Sequence, residues 1–214
     1  MAGLSAPNAE KLALVEKNRD YTILHAILQA APDDVILIAG KGHEDYQEIN
    51  AKRHFFDDRQ WSSLALLMRD GLNISTDTRK LEAGQFFVAL KGEHFDAHSL
   101  LSQAQEKKAV AALVSAPDKE LALAQIQVHD TLDALMTMAK AWRAQFTLPV
   151  VAVTGSNGKT TTKEMTASIM EAAYGDDYIA TLGNLNNHIG VPLSLLRLRS
   201  HHQVAVFELG MNHP

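Results

Sequence analysis

The segment from Val150 to Ala173 most constrains the fold, because an apolar run is followed there by a glycine-rich loop and a helical sequence. The loop reads Thr154-Gly155-Ser156-Asn157-Gly158-Lys159-Thr160. Glycines let the backbone curl so that its amide groups point at phosphate oxygens, and a helix N-terminus adds positive potential. Strand, loop and helix in this order predict an α/β fold with a nucleotide-phosphate site.

Two side chains of this loop are expected to contact the phosphates and their metal ion. Lys159 is expected to hold the β- and γ-phosphates as a point charge, and the Thr160 hydroxyl to take a Mg²⁺ coordination position. The general pattern G-x-x-x-x-G-K-[ST] would place a glycine at position 153, where this chain has Val153. A glycine turn that precedes a lysine by chance is the alternative, and the strand before it and the threonine-rich helix start after it favour nucleotide binding.

Composition excludes several classes of function. The 214 residues carry a net charge of −5, so there is no electrostatic reason to expect nucleic acid as a partner. No apolar run approaches the ~18–20 residues that cross a bilayer, and the charged N-terminal sequence does not resemble a signal peptide. Cysteine is absent, which removes disulfides, thiolate metal sites and cysteine nucleophiles and fits a cytoplasmic location.

Hydrophobic patterning divides the chain into three segments. The first predicts a helix over 9–30, a buried parallel strand at Val35–Ala39 and a helix that starts after Asp57-Asp58 and runs to about Met68. The second, from about Asn73, alternates strand-like runs with helical stretches, as α/β units do. The third starts at Pro149. Strands are predicted at 85–90, 111–114, 126–128, 150–154, 178–181 and 204–209, and helices at 99–108, 131–146 and 160–173.

The predicted last strand, Val204–Leu209, is followed by only five further residues. Its apolar character is typical of a central strand, and a parallel strand needs crossover connections and neighbours on both sides. The third segment therefore reads as part of a sheet, and the chain as a fragment of a longer protein.

Three motifs in this order resemble the Mur ligase family. They are the loop sequence TGSNGKTTT, the segment Gly183–Pro192 (GNLNNHIGVP) and the strand end Phe207-Glu208-Leu209-Gly210. The resemblance implies ATP and Mg²⁺ as cofactors, with Glu208 and Thr160 as metal ligands and Lys159 and Glu208 as catalytic residues. Taken alone, Glu208 reads as a surface carboxylate and the asparagines as a turn. The resemblance implies these cofactor-binding residues: Thr154, Gly155, Ser156, Asn157, Gly158, Lys159, Thr160, Thr161, Asn184 and Asn187.

The second segment resembles the UDP-sugar-binding domain of the MurF group within this family. The resemblance rests on Ser75–Lys80 (STDTRK), Gly84–Gly92 (GQFFVALKG) and Phe95–His98 (FDAH), and the MurE group shares part of this pattern. It implies that hydroxyl, amide and charged groups contact uracil, ribose and diphosphate. Asp77 and Arg79 could equally form a structural ion pair, and the others could be solvated turn residues. The implied substrate-binding residues here are Ser75, Thr76, Asp77, Arg79 and Lys91.

The first segment resembles the C-terminal end of the MurE group through Asp34–Gln47, which contains GKGHE, and Lys52–Arg59. This resemblance implies that Gly40 and Glu44 contact an incoming diamino acid, and a glycine turn at a strand end is the alternative. The family's D-N-P-R motif is absent, so a complete site for that amino acid is not expected. A MurE-like tail followed by a MurF-like head leads to the hypothesis of a fragment from a MurE–MurF fusion.

Together these resemblances predict an incomplete Mur ligase architecture of three parts. They are a remnant of a Rossmann-like C-terminal domain at 1–66, a small α/β UDP-binding domain at 67–147, and the start of a P-loop ATPase domain with a parallel sheet at 148–214. The implied activity adds D-alanyl-D-alanine to UDP-N-acetylmuramoyl-tripeptide in peptidoglycan synthesis, by a monomeric parent protein. This chain alone is expected to have negligible ligase activity. A generic P-loop ATPase and a non-catalytic UDP-sugar-binding module are the alternatives.

Overall fold

The computed structural model describes residues 16–210, in which strands form one hairpin and two parallel sheets. The element order follows the three segments predicted from the sequence. The helices are α1 (Arg19–Gln29), α2 (Asp58–Met68), α3 (Leu101–Glu106), α4 (Thr131–Arg143), α5 (Lys159–Tyr174) and α6 (Gly190–Leu196). The strands are β1 (Tyr46–Ile49), β2 (Lys52–Phe55), β3 (Ile74–Ser75), β4 (Phe86–Val88), β5 (Ala111–Val114), β6 (Gln125–Gln127), β7 (Val150–Val153), β8 (Tyr178–Ala180) and β9 (Val204–Glu208).

The first segment contributes α1, an antiparallel hairpin of β1 and β2, and α2. The side chain of Asp57 accepts a hydrogen bond from the backbone N–H of Arg59 at 2.9 Å, which satisfies one of the free amides at the start of α2. The predicted second helix is therefore confirmed with its acidic start. The predicted helix over 9–30 is confirmed for 19–29, and its part before residue 16 lies outside the described residues.

The predicted strand at Val35–Ala39 is wrong. These residues have no strand conformation, and the side chains of Val35 and Leu37 are 96% and 86% exposed. A parallel strand exists only when a neighbouring strand accepts its backbone hydrogen bonds, and no such neighbour pairs with this run within residues 16–210. Within residues 16–66 the structure therefore describes helices and a hairpin, and no parallel sheet.

A four-stranded parallel sheet, in the order β3-β4-β5-β6, forms the centre of the second segment. Its central strands β4 and β5 are buried on both faces, whereas the outer strands β3 and β6 are only partly buried. Successive side chains of a strand point to opposite sides of the sheet. Phe86 and Val88 pack with α1, α2 and α4, whereas Phe87 packs in a second core with Leu101 at the start of α3. Helix α2 belongs to the first of these cores, and the domain boundary predicted between residues 66 and 67 falls inside this helix.

The third segment forms a parallel sheet in the order β7-β9-β8, with α5 following β7 and α6 preceding β9. Helix α6 was not predicted. It packs against α4, and the Trp142 indole N–H donates to the Leu198 carbonyl at 3.1 Å, which joins the second and third segments. Among residues 16–210, no helix has the length and apolar character needed to cross a membrane.

Candidate nucleotide-binding site

The glycine-rich loop lies at the carboxyl end of β7 and leads directly into α5. Gly155 and Gly158 have φ angles of 140° and 74°, which side chains with a Cβ rarely adopt. Gly158 is the residue before the first turn of α5, so the helix N-terminus opens onto the loop. The local geometry is therefore that of a backbone anion cradle.

Lys159 is the first residue of α5, and its ammonium group folds back over the loop. Its Nζ donates to the carbonyl oxygens of Gly155 at 2.6 Å and Ser156 at 3.3 Å. No carboxylate forms an ion pair with it in the part of the chain that the structure describes. This cation is therefore held over the loop by neutral acceptors and keeps its charge available for a phosphate.

Glu208 ends β9, the middle strand of the sheet, and is only 1% exposed. Its Oε1 accepts hydrogen bonds from the Thr160 hydroxyl at 3.2 Å and from the Asn186 amide at 2.7 Å. Its Oε2 is buried and has no hydrogen-bond partner among residues 16–210. The backbone N–H of Glu208 donates to the Thr181 hydroxyl at 3.0 Å, which holds the strand end in place.

A buried carboxylate oxygen without a partner is costly, because burial removes the water that would solvate it. The unpartnered Oε2 belongs to the same carboxylate whose Oε1 contacts the Thr160 hydroxyl, so oxygen atoms of both side chains lie close together beside the phosphate loop. Mg²⁺ prefers oxygen ligands, and in phosphate sites it takes one or two from the protein and the rest from water and phosphates. Residues 16–210 contain no group of three acidic or histidine ligands, and the Thr160–Glu208 pair fits this sparser kind of magnesium site.

The asparagine-rich loop before α6 forms the wall of the site next to Glu208. Asn187 uses its side-chain oxygen to accept from the backbone amides of Ile189 at 3.1 Å and Gly190 at 2.8 Å, so it caps the approach to α6. Asn184 has an exposed side chain, and its carbonyl accepts from the Asn186 N–H at 2.7 Å. Asn186, which the sequence analysis did not single out, is the asparagine that contacts Glu208.

A cavity of about 570 Å³ lies at the carboxyl end of β3. Four of the predicted UDP-site residues lie there, between positions 75 and 79. Thr76, Asp77 and Arg79 line it, and the Ser75 hydroxyl donates to the Asp77 carbonyl at 3.0 Å. The Arg79 guanidinium binds both carboxylate oxygens of Asp77, which lowers the pKa of Asp77 to about 2. The structure therefore shows the ion pair that the sequence left open. Lys91, on the next strand's loop, lies 3.7 Å from the Asp96 carboxylate.

Comparison with known proteins assigns the region that contains this loop, these asparagines and this glutamate to one protein family. Residues 153–214 match the model of the Mur ligase middle domain, the region that contains the phosphate loop and Glu208. This part of the chain belongs to the Mur ligase family. The fold agrees with this assignment, since a MurF crystal structure from Acinetobacter baumannii is 47% identical with a TM-score of 0.61, and the match covers 66% of this chain and 31% of that one.

Two further Mur ligases are similar to this chain. The UDP-N-acetylmuramoyl-tripeptide–D-alanyl-D-alanine ligase of Haemophilus influenzae is 50% identical over 142 residues, 65% of this chain and 31% of the relative. The MurF ligase of Thermotoga maritima, solved in complex with ADP, is 29% identical with a TM-score of 0.59, covering 67% of this chain and 33% of that one. This chain thus spans about a third of the length of the Mur ligases it matches.

Gly40 and Glu44, the residues expected to contact a diamino acid, lie in an exposed loop before β1. Gly40 has a φ of 105°, and the Glu44 N–H donates to the Lys41 carbonyl at 3.1 Å, as in a tight turn. Within residues 16–210, no hydrogen bond or ion pair connects either residue to the phosphate loop or to Glu208. The geometry is that of the turn that the sequence analysis kept as the alternative, and it gives no support to a MurE-like site.

Proposed function

We propose that this chain carries the ATP-phosphate and UDP-sugar sites of a ligase that adds D-alanyl-D-alanine to UDP-N-acetylmuramoyl-tripeptide. The observation that carries the proposal is the buried Glu208 carboxylate on Thr160, beside an anion cradle whose lysine has no acidic partner among the described residues. The similarity of this chain to the Haemophilus influenzae ligase supports the choice of substrates. The limits 67–147 and 148–214 for the two sites' domains remain part of this proposal.

In the proposed reaction, the terminal carboxylate of the tripeptide attacks the γ-phosphorus of ATP, and ADP leaves. The resulting acyl phosphate is attacked by the amine of D-alanyl-D-alanine, and inorganic phosphate leaves as the peptide bond forms. Such phosphoryl transfer needs positioning and charge stabilisation more than covalent chemistry from the protein. Because ATP is the phosphoryl donor, the reaction takes place in the cytoplasm.

The chain's own groups supply the positioning. The loop amides and the α5 N-terminus orient the phosphates, and Lys159 offsets charge on the transferring group. Thr160 and Glu208 would hold Mg²⁺, which supplies further neutralisation of phosphate charge when bound. Asn186 fixes the Glu208 carboxylate through its 2.7 Å hydrogen bond, so Asn186 acts as a positioning residue. The cavity at Thr76–Arg79 takes the UDP part of the substrate.

Calorimetric titration of this chain with ATP, with and without Mg²⁺, tests the phosphate site. Lys159→Ala is expected to weaken ATP binding by roughly tenfold to a hundredfold, because it removes a charge-assisted contact. Glu208→Gln keeps the shape of the side chain and removes its charge, so Mg²⁺ should no longer strengthen ATP binding. Lys119→Ala, in an exposed loop, is the control for loss of one positive charge. Equal ATP affinity in Lys159→Ala and Lys119→Ala would contradict the proposal.

A second titration, with UDP-N-acetylmuramoyl-tripeptide, separates a Mur ligase from a generic P-loop ATPase. The proposal requires that this compound binds and that Thr76→Val weakens its binding without changing ATP affinity. A chain that binds ATP and not the UDP-sugar peptide would support the ATPase. A chain that binds the UDP-sugar peptide and shows no ATP affinity in any variant would support a non-catalytic binding module.

A further inference from the structure

A separate cavity of about 540 Å³ runs along the free edge of β8, and the proposed reaction does not use it. Residues of the turn between α6 and β9 form one side of it, and residues of β8 and α5 form the other. None of the residues 154–160 lines it. The polar residues that matter for its chemistry are Arg197, Arg199, His201, His202 and Asn73.

The two arginines of this cavity are partly buried, and neither has an acidic partner among residues 16–210. Arg197 donates from Nη1 to the Ala180 carbonyl at 3.2 Å. Arg199 donates from Nη1 to two carbonyls of the same turn, both at 2.8 Å, and from Nη2 to Asn73 Oδ1 at 2.9 Å. No carboxylate lies within 4.0 Å of either guanidinium among residues 16–210. A guanidinium has five N–H donors, so Arg197 in particular keeps donors for a ligand.

Burial without a counter-ion has the expected electrostatic effect. Burial lowers the pKa of Arg197 and of Arg199, because it disfavours their charged forms. The pKa of His202 is lowered as well, first by burial and then by the positive charges of His201 and the two arginines. The His202 ring accepts through Nδ1 from the backbone N–H of Arg199 at 2.9 Å, which fixes the ring beside the two arginines. The cations of this cavity are therefore partly buried guanidinium groups that have no ion-pair partner among residues 16–210.

Two acidic side chains, Glu164 and Asp176, line the cavity, and Asp177 follows Asp176 in the chain; none of the three forms an ion pair with an arginine of the cavity among residues 16–210. Glu164 pairs with the buried Lys163 of the same helix. Asp177 accepts from the Gln203 amide at 2.7 Å and only slightly opposes the lowered pKa of His202. Asp176 lines the cavity and forms no ion pair with an arginine. The cavity is thus lined by two arginines and two carboxylates, and no ion pair joins them among residues 16–210.

We infer that this cavity binds a small oxyanion of the phosphate type, held by Arg197 and Arg199. Planar guanidinium groups match the oxygens of a phosphate, and two of them provide directed donors on one wall. The ligand is either free inorganic phosphate or the phosphate group of a nucleotide, since both present the same oxygens. The inference stands independently of the proposed ligase activity, because it uses no residue of the phosphate loop.

In the test, the whole chain with ¹⁵Nε-labelled arginine is titrated separately with inorganic phosphate and with ADP, and the arginine signals are followed by NMR. The Lys159→Ala variant serves as the background, so that phosphate binding at the loop does not contribute. The Nε–H signals of Arg197 and Arg199 are expected to shift and saturate. Arg197→Gln should weaken the calorimetric phosphate affinity by roughly tenfold or more, because a charge-assisted contact is lost. Arg53→Gln, an exposed arginine outside the cavity, removes the same charge and should change affinity less than twofold.

Each outcome decides the inference. Signals of Arg197 and Arg199 that do not move with either ligand overturn it, as does an equal loss of affinity in Arg53→Gln and Arg197→Gln. Movement with inorganic phosphate supports the free anion, and movement with ADP alone supports a nucleotide phosphate. If Arg197→Gln does not fold, as judged by circular dichroism, the arginine signals of the Lys159→Ala background still decide. A failed ligase or ATP-binding test would leave this result unchanged.

Discussion

Replacement of Gly190 by alanine tests how the asparagine loop is held against the site. Gly190 is the first residue of α6 and packs directly on the backbone of Leu185. A Cβ at this position would lie 2.5 Å from the Leu185 carbonyl carbon and Cα, and 2.7 Å from its oxygen. Because these are backbone atoms, no side-chain rotation relieves the clash. Either α6 or the loop that contains Asn186 has to move.

The size of the effect follows from two opposing contributions. Overpacking against a rigid neighbour costs typically about 1–3 kcal/mol, and backbone contact at this distance favours the upper end. Alanine recovers at most about 1 kcal/mol through helix propensity and a less flexible unfolded chain. Gly190→Ala is therefore expected to lower the free energy of unfolding by about 2 kcal/mol. For a chain of this length, that corresponds to a melting temperature lower by about 4–8 °C.

Urea denaturation followed by circular dichroism measures this loss, and the chain offers matched controls. A Cβ at Gly92 would meet only the Phe95 carbonyl at an ordinary 3.8 Å, so Gly92→Ala should change stability by less than about 0.5 kcal/mol. A Cβ at Gly210 would lie 3.0 Å from the Asn186 carbonyl, which predicts an intermediate loss. Equal stabilities of the Gly190→Ala and Gly92→Ala variants would refute the reasoning.

Three further predictions concern single contacts. Arg79→Gln should raise the pKa of Asp77 from about 2 toward its ordinary 3.8, as measured by carboxyl NMR titration. With Arg79 present, the pair stabilises the fold above pH 3.8 and loses this effect as the pH falls through 2, because the pKa of Asp77 is lower in the folded chain than in the unfolded chain. Trp142→Phe should cost about 0.5–1.5 kcal/mol in urea denaturation, since the indole hydrogen bond to the Leu198 carbonyl is lost while that carbonyl keeps its Arg199 donor. Lys163→Met should change the free energy of unfolding by less than about 1 kcal/mol, because the buried side chain keeps its packing and its partner Glu164 is exposed to water. A much larger loss in the same assay would show that the buried ammonium has another stabilising contact.

Local sequence patterns predicted most secondary structure of the second and third segments. The predicted strands at 111–114 and 150–154 and the helix at 131–146 agree with β5, β7 and α4 to within a few residues. The phosphate loop was predictable for the same reason, since glycine conformations and the following helix start are properties of adjacent residues. The Mur ligase resemblance rested on three such local motifs, and the comparisons confirmed it.

Contacts between distant residues were decided only by the tertiary structure. The apolar run Val35–Ala39 reads as a strand, yet its state depends on a pairing neighbour that no local pattern reveals. Among the loop asparagines, the sequence favoured Asn184 and Asn187, whereas the path of the chain places Asn186 on the Glu208 carboxylate. Burial and hydrogen bonding of a side chain depend on what folds against it, and this is why Glu208, readable from sequence alone as a surface acid, became the buried centre of the candidate site.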